Sequence, residues 1–408
     1  MNRTYRIIVA VALACACGRP LAAQQVPDRA FRPAIEKPAY AEGTGPVVCL
    51  DEAHHNFHTL DDRFWAFGEL MRRDGYVVQA NRSRFDGASL ARCAILVISN
   101  AQPSDIGWNE YPYPTPSAFT PEEVRATHQW VTGGGRLLLI ADHMPLGGAA
   151  ADLAAAFGVT FTDGFAVEGF SDESERDAAI MKPTILRTAD QTLRPHAIVR
   201  GREPGESVDS VRTFTGQAFQ APSSAEPILV LPATFISLMP EKAWEFGPDT
   251  RRVPAGGWLQ GAVMRVGSGR AAFFGEAAMF SAQLARAERL PMGMNAPGAE
   301  QNFQFALNVV RWLAGSQGTD GQVSSLEARL ERLEERIVRS EEATAGAGLV
   351  LFVIACFCAL WAQNTRRSAW LWFFLGLLFN VITLVVLLRK NLNDLQRDAR
   401  RADPTGAV

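Results

Sequence analysis

The chain has 408 residues, 48% of them hydrophobic and 20% charged, and a formal net charge of -3. That length and composition suit one large or two ordinary domains with real cores. A nearly neutral chain without clustered basic residues presents no field for nucleic acid, which is excluded as an expected partner.

In chain order, Arg3 and Arg6, an apolar run from Ile7 to Cys17, and Pro20-Leu21-Ala22-Ala23 have the layout of a signal peptide (residues 1–23) cleaved after Ala23. Val47 to Leu50 reads as a strand, Leu60 to Arg73 as an amphipathic helix stopped near Gly75, and Tyr76 to Ala80 and Ala94 to Ser99 as strands. Thr120-Pro121-Glu122-Glu123 predicts a helix start with a capping box, ended by Gly133-Gly134-Gly135, and Leu137 to Ile140 is the next strand. Short, continuously apolar strands separated by helices predict a doubly wound α/β domain with a mostly parallel sheet over residues 40–315. Residues 163 to 210 are polar and Pro-interrupted, with one strand expected near Ile198. Strands at Ile228 to Leu231, Trp258 to Val266 and Ala271 to Phe274 extend the sheet, followed by a helix from about Glu276 and another from Ala299 to Leu313. Cys49 and Cys93 sit in apolar strand-like runs and are expected as buried thiols.

Residues 316–343 read as a linker and short coiled coil. Val323, Leu326, Leu330, Leu333 and Ile337 repeat with 3,4 spacing, which suits a homo-oligomer seam over 323–337 or a solvated spacer helix. Two apolar stretches within 346–388 predict a two-helix transmembrane hairpin, followed by a basic polar tail, 389–408. The positive charge of that tail conflicts with the orientation that the signal peptide implies.

Three of the six histidines lie in Asp51-Glu52-Ala53-His54-His55-Asn56-Phe57-His58, directly after the first strand. Ligands of parallel α/β sheets bind outside the carboxyl ends of the strands. Three loops are expected there: Asp51 through His58, Asp142-His143, and Gly275-Glu276. A fourth contributor is the turn Met292 to Pro297 with its following helix, supplying Asn295 and Asn302. The candidate ligand-binding set is therefore Asp51, Glu52, His54, His55, Asn56, Asp142, His143, Glu276, Asn295 and Asn302. A divalent metal held by His54, Asp142 and His143, with Glu52 or Glu276 as base, is the alternative, although no HExxH-like spacing supports it. Each residue also has a structural reading: Asp51 accepting loop amides, Glu276 capping a helix, a histidine packed in the core.

The blocks VVCLDEAHHN, GGGRLLLIADH, GSGRAAFFGEAAMF and NAPGAEQNFQFALNVVRWL resemble a family of uncharacterised bacterial domains with the class I glutamine amidotransferase-like (flavodoxin-like) fold. They are more distantly similar to trehalose-utilisation and gliding-motility-type domains. The resemblance implies a flavodoxin-like sheet with a site at its carboxyl edge. It departs from true amidotransferases because Ile140-Ala141-Asp142-His143-Met144 has no cysteine where those enzymes carry their nucleophile. Ser99 is the one well-placed hydroxyl, and no nucleophile-elbow spacing surrounds it.

The expectation is a membrane-tethered domain, periplasmic at the cell inner membrane, that binds or senses a small polar envelope ligand such as a carbohydrate, without thiol amidotransferase activity. Asn100 to Phe119, carrying Trp108, Tyr111 and Tyr113, is expected as an aromatic lid. The alternatives are metal-assisted hydrolysis of an envelope substrate and a scaffold role beside a membrane transporter.

Overall fold

The computed structural model describes residues 25–315 and 350–402. The chain divides into two compact units, one through Gly321 and one from Gln322. The expected signal peptide and the 316–343 stalk with its 323–337 seam lie outside the described residues.

The first unit is a mixed α/β domain with a largely parallel central sheet. Its strands β1 (Val47–Asp51), β2 (Val77–Asn81), β3 (Ile95–Ser99), β4 (Arg136–Ile140), β5 (Leu259–Val266) and β6 (Gly269–Phe274) stand in the order β2-β1-β3-β4-β6-β5. The first five in that order are parallel, with Val48 opposite Ile95 and Leu137 opposite both Leu96 and Ala271. From β5 onward the pairing turns antiparallel, through Phe219–Gln220 to Thr160–Phe161, with Glu226–Val230 also on β5. The reversal of strand order between β2-β1 and β3-β4 leaves a crevice at the carboxyl ends of β1 and β3.

Alternation along the strands explains the two cores. Val48, Leu50, Ile95, Val97, Leu138, Ile140, Ala272 and Phe274 point toward helices α1 (Trp65–Arg73) and α3 (Asn302–Ala314). Leu96, Ile98, Leu137, Leu139, Ala271 and Phe273 point the other way, where α2 (Pro121–Thr132) packs Val131. Strands buried on both faces must be apolar at every position, which is why they read as runs. The capping box of α2 forms as its sequence predicts: Thr120 Oγ1 accepts from the Glu123 amide, and Glu123 accepts from the Thr120 amide at 3.0 Å. Helix α3 stops at Gly315, whose φ of 77° is the left-handed conformation that only glycine adopts without strain.

Several expectations are corrected. Cys49 and Cys93 are joined in a disulfide with a Cα–Cα distance of 5.7 Å, because pairing of β1 with β3 brings residue 93 beside residue 49. The segment around Ile198 is a short helix, Ala197–Arg200, whose N-terminus is capped by the His196 ring accepting from the Ile198 amide. The segment after Glu276 forms only a 3-10 turn, Ala278–Phe280, then a strand, Ala282–Ala285, that pairs with Leu290–Gly293.

In the second unit, residues 350–364 are helical and a second helix spans Ala369–Ala402. Gly376 lies against Ala355 and Cys358, and Trp372 and Leu387 are buried. The predicted transmembrane hairpin, and with it the two membrane spans and inner-membrane placement, is overturned: among the described residues no helix is long and apolar enough to cross a membrane. The second apolar stretch is the first part of a 34-residue helix that continues through Arg389, Lys390, Asp394 and Arg397, so the expected polar tail is helical as far as Ala402.

Candidate functional site

The loop after β1 folds back on itself. Asp51 accepts from the Ala53 amide at 3.1 Å and from Asn56 Nδ2 at 3.0 Å, and Asn56 Oδ1 accepts from the His54 amide. This turns the His54 ring inward, where Nδ1 meets both Asp51 oxygens at 2.9 and 3.0 Å and Nε2 meets Glu123 Oε1 at 2.9 Å. Phe85 and Phe119 close around the ring, which is 1% exposed. Burial pulls the imidazole's pKa down, but hydrogen bonds and charge from Asp51, then Glu123, outweigh it and raise it above the ordinary value. Burial would raise the pKa of Glu123, yet the Thr120 amide, His54 and the Phe85 amide bring it down to about 2. The result is a buried imidazolium between two carboxylates, with both ring nitrogens occupied.

The other loop residues fall around this plug. His55 is exposed, with its backbone in the left-handed region at φ 45°. Its carbonyl and that of His54 accept from Gln102, whose side-chain oxygen accepts from the Trp108 indole at 2.8 Å. His58 is buried against Phe64, its Nδ1 lies 2.9 Å from Ser99 Oγ, and burial, with the Arg63 charge, holds its pKa well below the usual range. Glu52 accepts from the Leu60 amide and from Arg82, fastening the loop rather than facing the crevice.

Asn100, immediately after β3, couples this loop to the next one. At φ 50°, a conformation that asparagine tolerates, it donates from Nδ2 to Asp142 Oδ2 at 2.8 Å and accepts the Asp142 amide at 2.9 Å. The second oxygen of Asp142 accepts from the Ala277 amide at 2.7 Å, which brings in the loop after β6. Glu276 folds over that turn, accepting from the amides of Ala278 and Met279, and is 1% exposed. Gly216 allows this burial: a β-carbon there would collide with the Gly275 carbonyl and the Glu276 side chain. Gln217 completes the seam, donating to the Ala141 carbonyl and accepting from the Thr162 amide. Burial raises Asp142 to about 7, and burial plus the Asp142 charge raises Glu276 well above the carboxylate range.

His143 turns away from the carboxylates. Its Nδ1 donates to the Met144 carbonyl at 2.7 Å, and its ring stacks on Phe165 at 4.4 Å with Trp244 and Trp108 at its edges. Burial lowers its pKa to about 4, so it is neutral at physiological pH. Trp108 and Tyr111 of the expected lid are folded inward, while Trp244 is 41% exposed and Tyr113 51% exposed. Trp244 lies in a segment with no periodic pattern to mark it.

The three expected loops are therefore joined by hydrogen bonds into one seam, from Asp51 through Asn56 and Asn100 to Asp142 and the turn after Glu276. The fourth contributor is not among them. Asn295 donates to Asp28 and the Gln283 carbonyl, and Asn302 exchanges hydrogen bonds with the Arg212 backbone at 2.9 and 2.7 Å. His54, Asp142 and His143 do not converge as ligands, and among the described residues no group of three or more His, Cys, Asp or Glu is arranged to hold a metal ion. Glu123, Asn100, Gln102 and Gln217 carry no mark of a site in the sequence; Glu123 is legible there only as a helix cap.

These ionisations give the seam a definite pH response. Asp142 and His54 have raised pKa values, so the stability each contributes is full below its unfolded pKa and is lost as pH rises through its folded one. Glu123 is depressed, so its contribution is present above about 4.5 and lost as pH falls through about 2. The Asp142 contribution therefore falls as pH rises from about 4 to about 7, while the depressed His143 acts in the opposite sense, so the melting temperature of Asp142→Asn relative to wild type should rise across that interval. A difference between variant and wild type that stays constant from about pH 4 to about pH 7 would contradict the assignment of Asp142.

No protein-family model and no curated protein matches the chain. Among solved structures, the N-terminal domain of mmIFT52 is similar over 65% of this chain and 97% of its own length, at 13% identity and a TM-score of 0.42. A putative ThuA-like protein from Bacteroides uniformis covers 69% of this chain and 94% of itself, at 11% identity and TM-score 0.37. A putative GMP synthase protein from Thermoplasma acidophilum covers 69% and 98%, at 10% and 0.33. These likenesses concern the fold and carry no functional assignment.

Proposed function

We propose that the α/β domain is an amidotransferase-like module that binds a polar ligand, with carbohydrate as its class, at the carboxyl edge of the sheet and does not turn it over. The observation that carries this reading is the state of His54. A general base needs a free ring nitrogen, and both nitrogens of this imidazole are held by buried carboxylates. Among the described residues of the first unit no cysteine is free, since Cys49 and Cys93 are bridged, which supports a reading without thiol chemistry. Trp244, 41% exposed and held against the buried His143 and Phe165, offers an aromatic surface beside the loop that carries the partly buried Asp142, a stacking group with a hydrogen-bonding group, the pairing that sugar rings require.

The test is tryptophan fluorescence of the full chain titrated with cello-, malto- and chito-oligosaccharides, with product analysis of each mixture. Saturable binding by one series, weakened at least roughly tenfold by Trp244→Ala with little change in melting temperature, is the expected result. Accumulating cleavage products would favour the hydrolase alternative, and the absence of binding by every series would remove carbohydrate as the class.

A further inference from the structure

Three arginines stand side by side at the amino edge of the sheet, the end opposite to the site above. Arg136 opens β4, Arg270 is the second residue of β6, and Arg265 lies near the end of the antiparallel β5. Arg270 is the direct cross-strand partner of both Arg136 and Arg265. Residues paired in this way project from one face, and the alternation shared with Leu138, Ala272 and Val263 makes it the face covered by α3. Strand spacing places the three side-chain origins within about 10 Å.

Like charges directly opposed across strands destabilise a sheet unless something compensates them. Arg270 is compensated in part: it donates to the Trp312 carbonyl near the end of α3 and lies 5.2 Å over the Trp312 ring. Among the described residues no acidic side chain forms an ion pair with Arg136, Arg265 or Arg270; the carboxylate of nearby Glu226 faces His196 instead, at 3.7 Å. Burial first, then the charges of Arg265 and Arg136, push the Arg270 guanidinium down to about 10, and Arg200 with Arg265 and Arg270 acts on the buried His196. The cluster is an electropositive patch without an internal counterion among the described residues, with Arg136 and Arg270 half-buried and Arg265 exposed at its rim.

We propose that Arg136, Arg265 and Arg270 form a binding site for a phosphate oxyanion, either free phosphate or the phosphate of an ester. Guanidinium forks match tetrahedral oxyanions through paired N–H donors, and a compact dianion meets all three charges at once. Three residues on one short edge do not make the long basic stripe that nucleic acid needs, and the chain's net charge of -3 argues the same way. This site is independent of the carbohydrate reading, which concerns the other end of the strands.

The experiment is thermal melting of the full chain in sodium phosphate, in glycerol phosphate and in sodium chloride at matched ionic strength, for wild type, Arg265→Gln and Arg136→Gln/Arg265→Gln. In chloride, Arg265→Gln should melt higher than wild type, because one of the opposed charges is gone. In phosphate, wild type should gain a saturable shift that chloride does not reproduce, with the apparent dissociation constant raised at least fivefold in Arg265→Gln and the shift abolished in the double variant. A response to inorganic phosphate identifies the free ion as sufficient, and a response confined to glycerol phosphate identifies the ester. Equal responses of wild type and Arg265→Gln, or a chloride response as large as the phosphate response, would overturn the proposal. Arg265 is on the rim, so its single variant remains informative if the double variant does not fold.

Discussion

Replacing Arg311 with leucine should lower the stability of the α/β domain by about 3–5 kcal/mol. Arg311 is 1% exposed in the middle of the domain, on α3. Its guanidinium grips Asp74 through two hydrogen bonds, at 2.6 and 2.8 Å, and Glu206 through a third at 2.8 Å. It also donates to the Lys37 carbonyl, as does Arg202, so the extended segment before β1 is fastened to α3 and to the end of α1. Leucine would leave the Asp74 carboxylate, itself fully buried, facing apolar surroundings with only the Ala39 amide as a described donor. The cost comes from that unpaired charge rather than from the net worth of the pair. A double variant, Arg311→Met/Asp74→Leu, should therefore recover most of the loss, because it removes the buried charge pair together and leaves Glu206 with its other partner, Arg202. Urea unfolding midpoints of the two variants decide the matter. A single variant within about 1 kcal/mol of wild type would mean that water already screens the cluster.

This cluster shows where sequence reasoning stops. The strands, the capping box at Thr120 and the start of the crevice are legible because each depends on residues within one or two turns of one another. Arg311 and Asp74 are 237 positions apart, and nothing local distinguishes an arginine that will be buried from one that will be solvated. The same reason explains His54. Its neighbours Asp51 and Asn56 read as site residues, but its second partner, Glu123, sits 69 positions away and already has a local explanation as a cap. Grouping three loops at the carboxyl edge needs only the strand order, and those loops do meet through Asn100 and Asp142. Asn295 and Asn302 are misplaced by the sequence because the segment after Glu276 turns into a strand pair instead of a helix, which carries the following turn to another part of the domain. The two membrane spans rest on apolar runs alone, and a run of apolar residues does not show where its helix ends.

Loss of the disulfide is expected to have an effect of similar size by a different route. Cys49 and Cys93 close a loop with a sequence separation of 44, containing the whole β1 loop, α1 and β2. In the chain-entropy picture, tying the ends of such a loop removes about 4 kcal/mol worth of freedom from the unfolded chain. The native contacts around the bridge are otherwise ordinary: residue 49 lies inside a parallel strand held on both sides by backbone hydrogen bonds, and Gln79 Nε2 reaches its sulfur at 3.4 Å. Cys49→Ala/Cys93→Ala should thus keep the fold and the fluorescence of the native state while its melting temperature drops by roughly 10 °C. Wild type in excess reductant should melt at the same place as the double variant, once the bridge has been opened by prior unfolding. If the stabilisation acts through the unfolded state, the double variant should also show a larger denaturant dependence, since a chain without the cross-link exposes more surface when it unfolds. Identical melting of oxidised wild type and the double variant would show instead that the loop is already ordered in the unfolded ensemble, and that the bridge adds nothing the strand pairing has not secured.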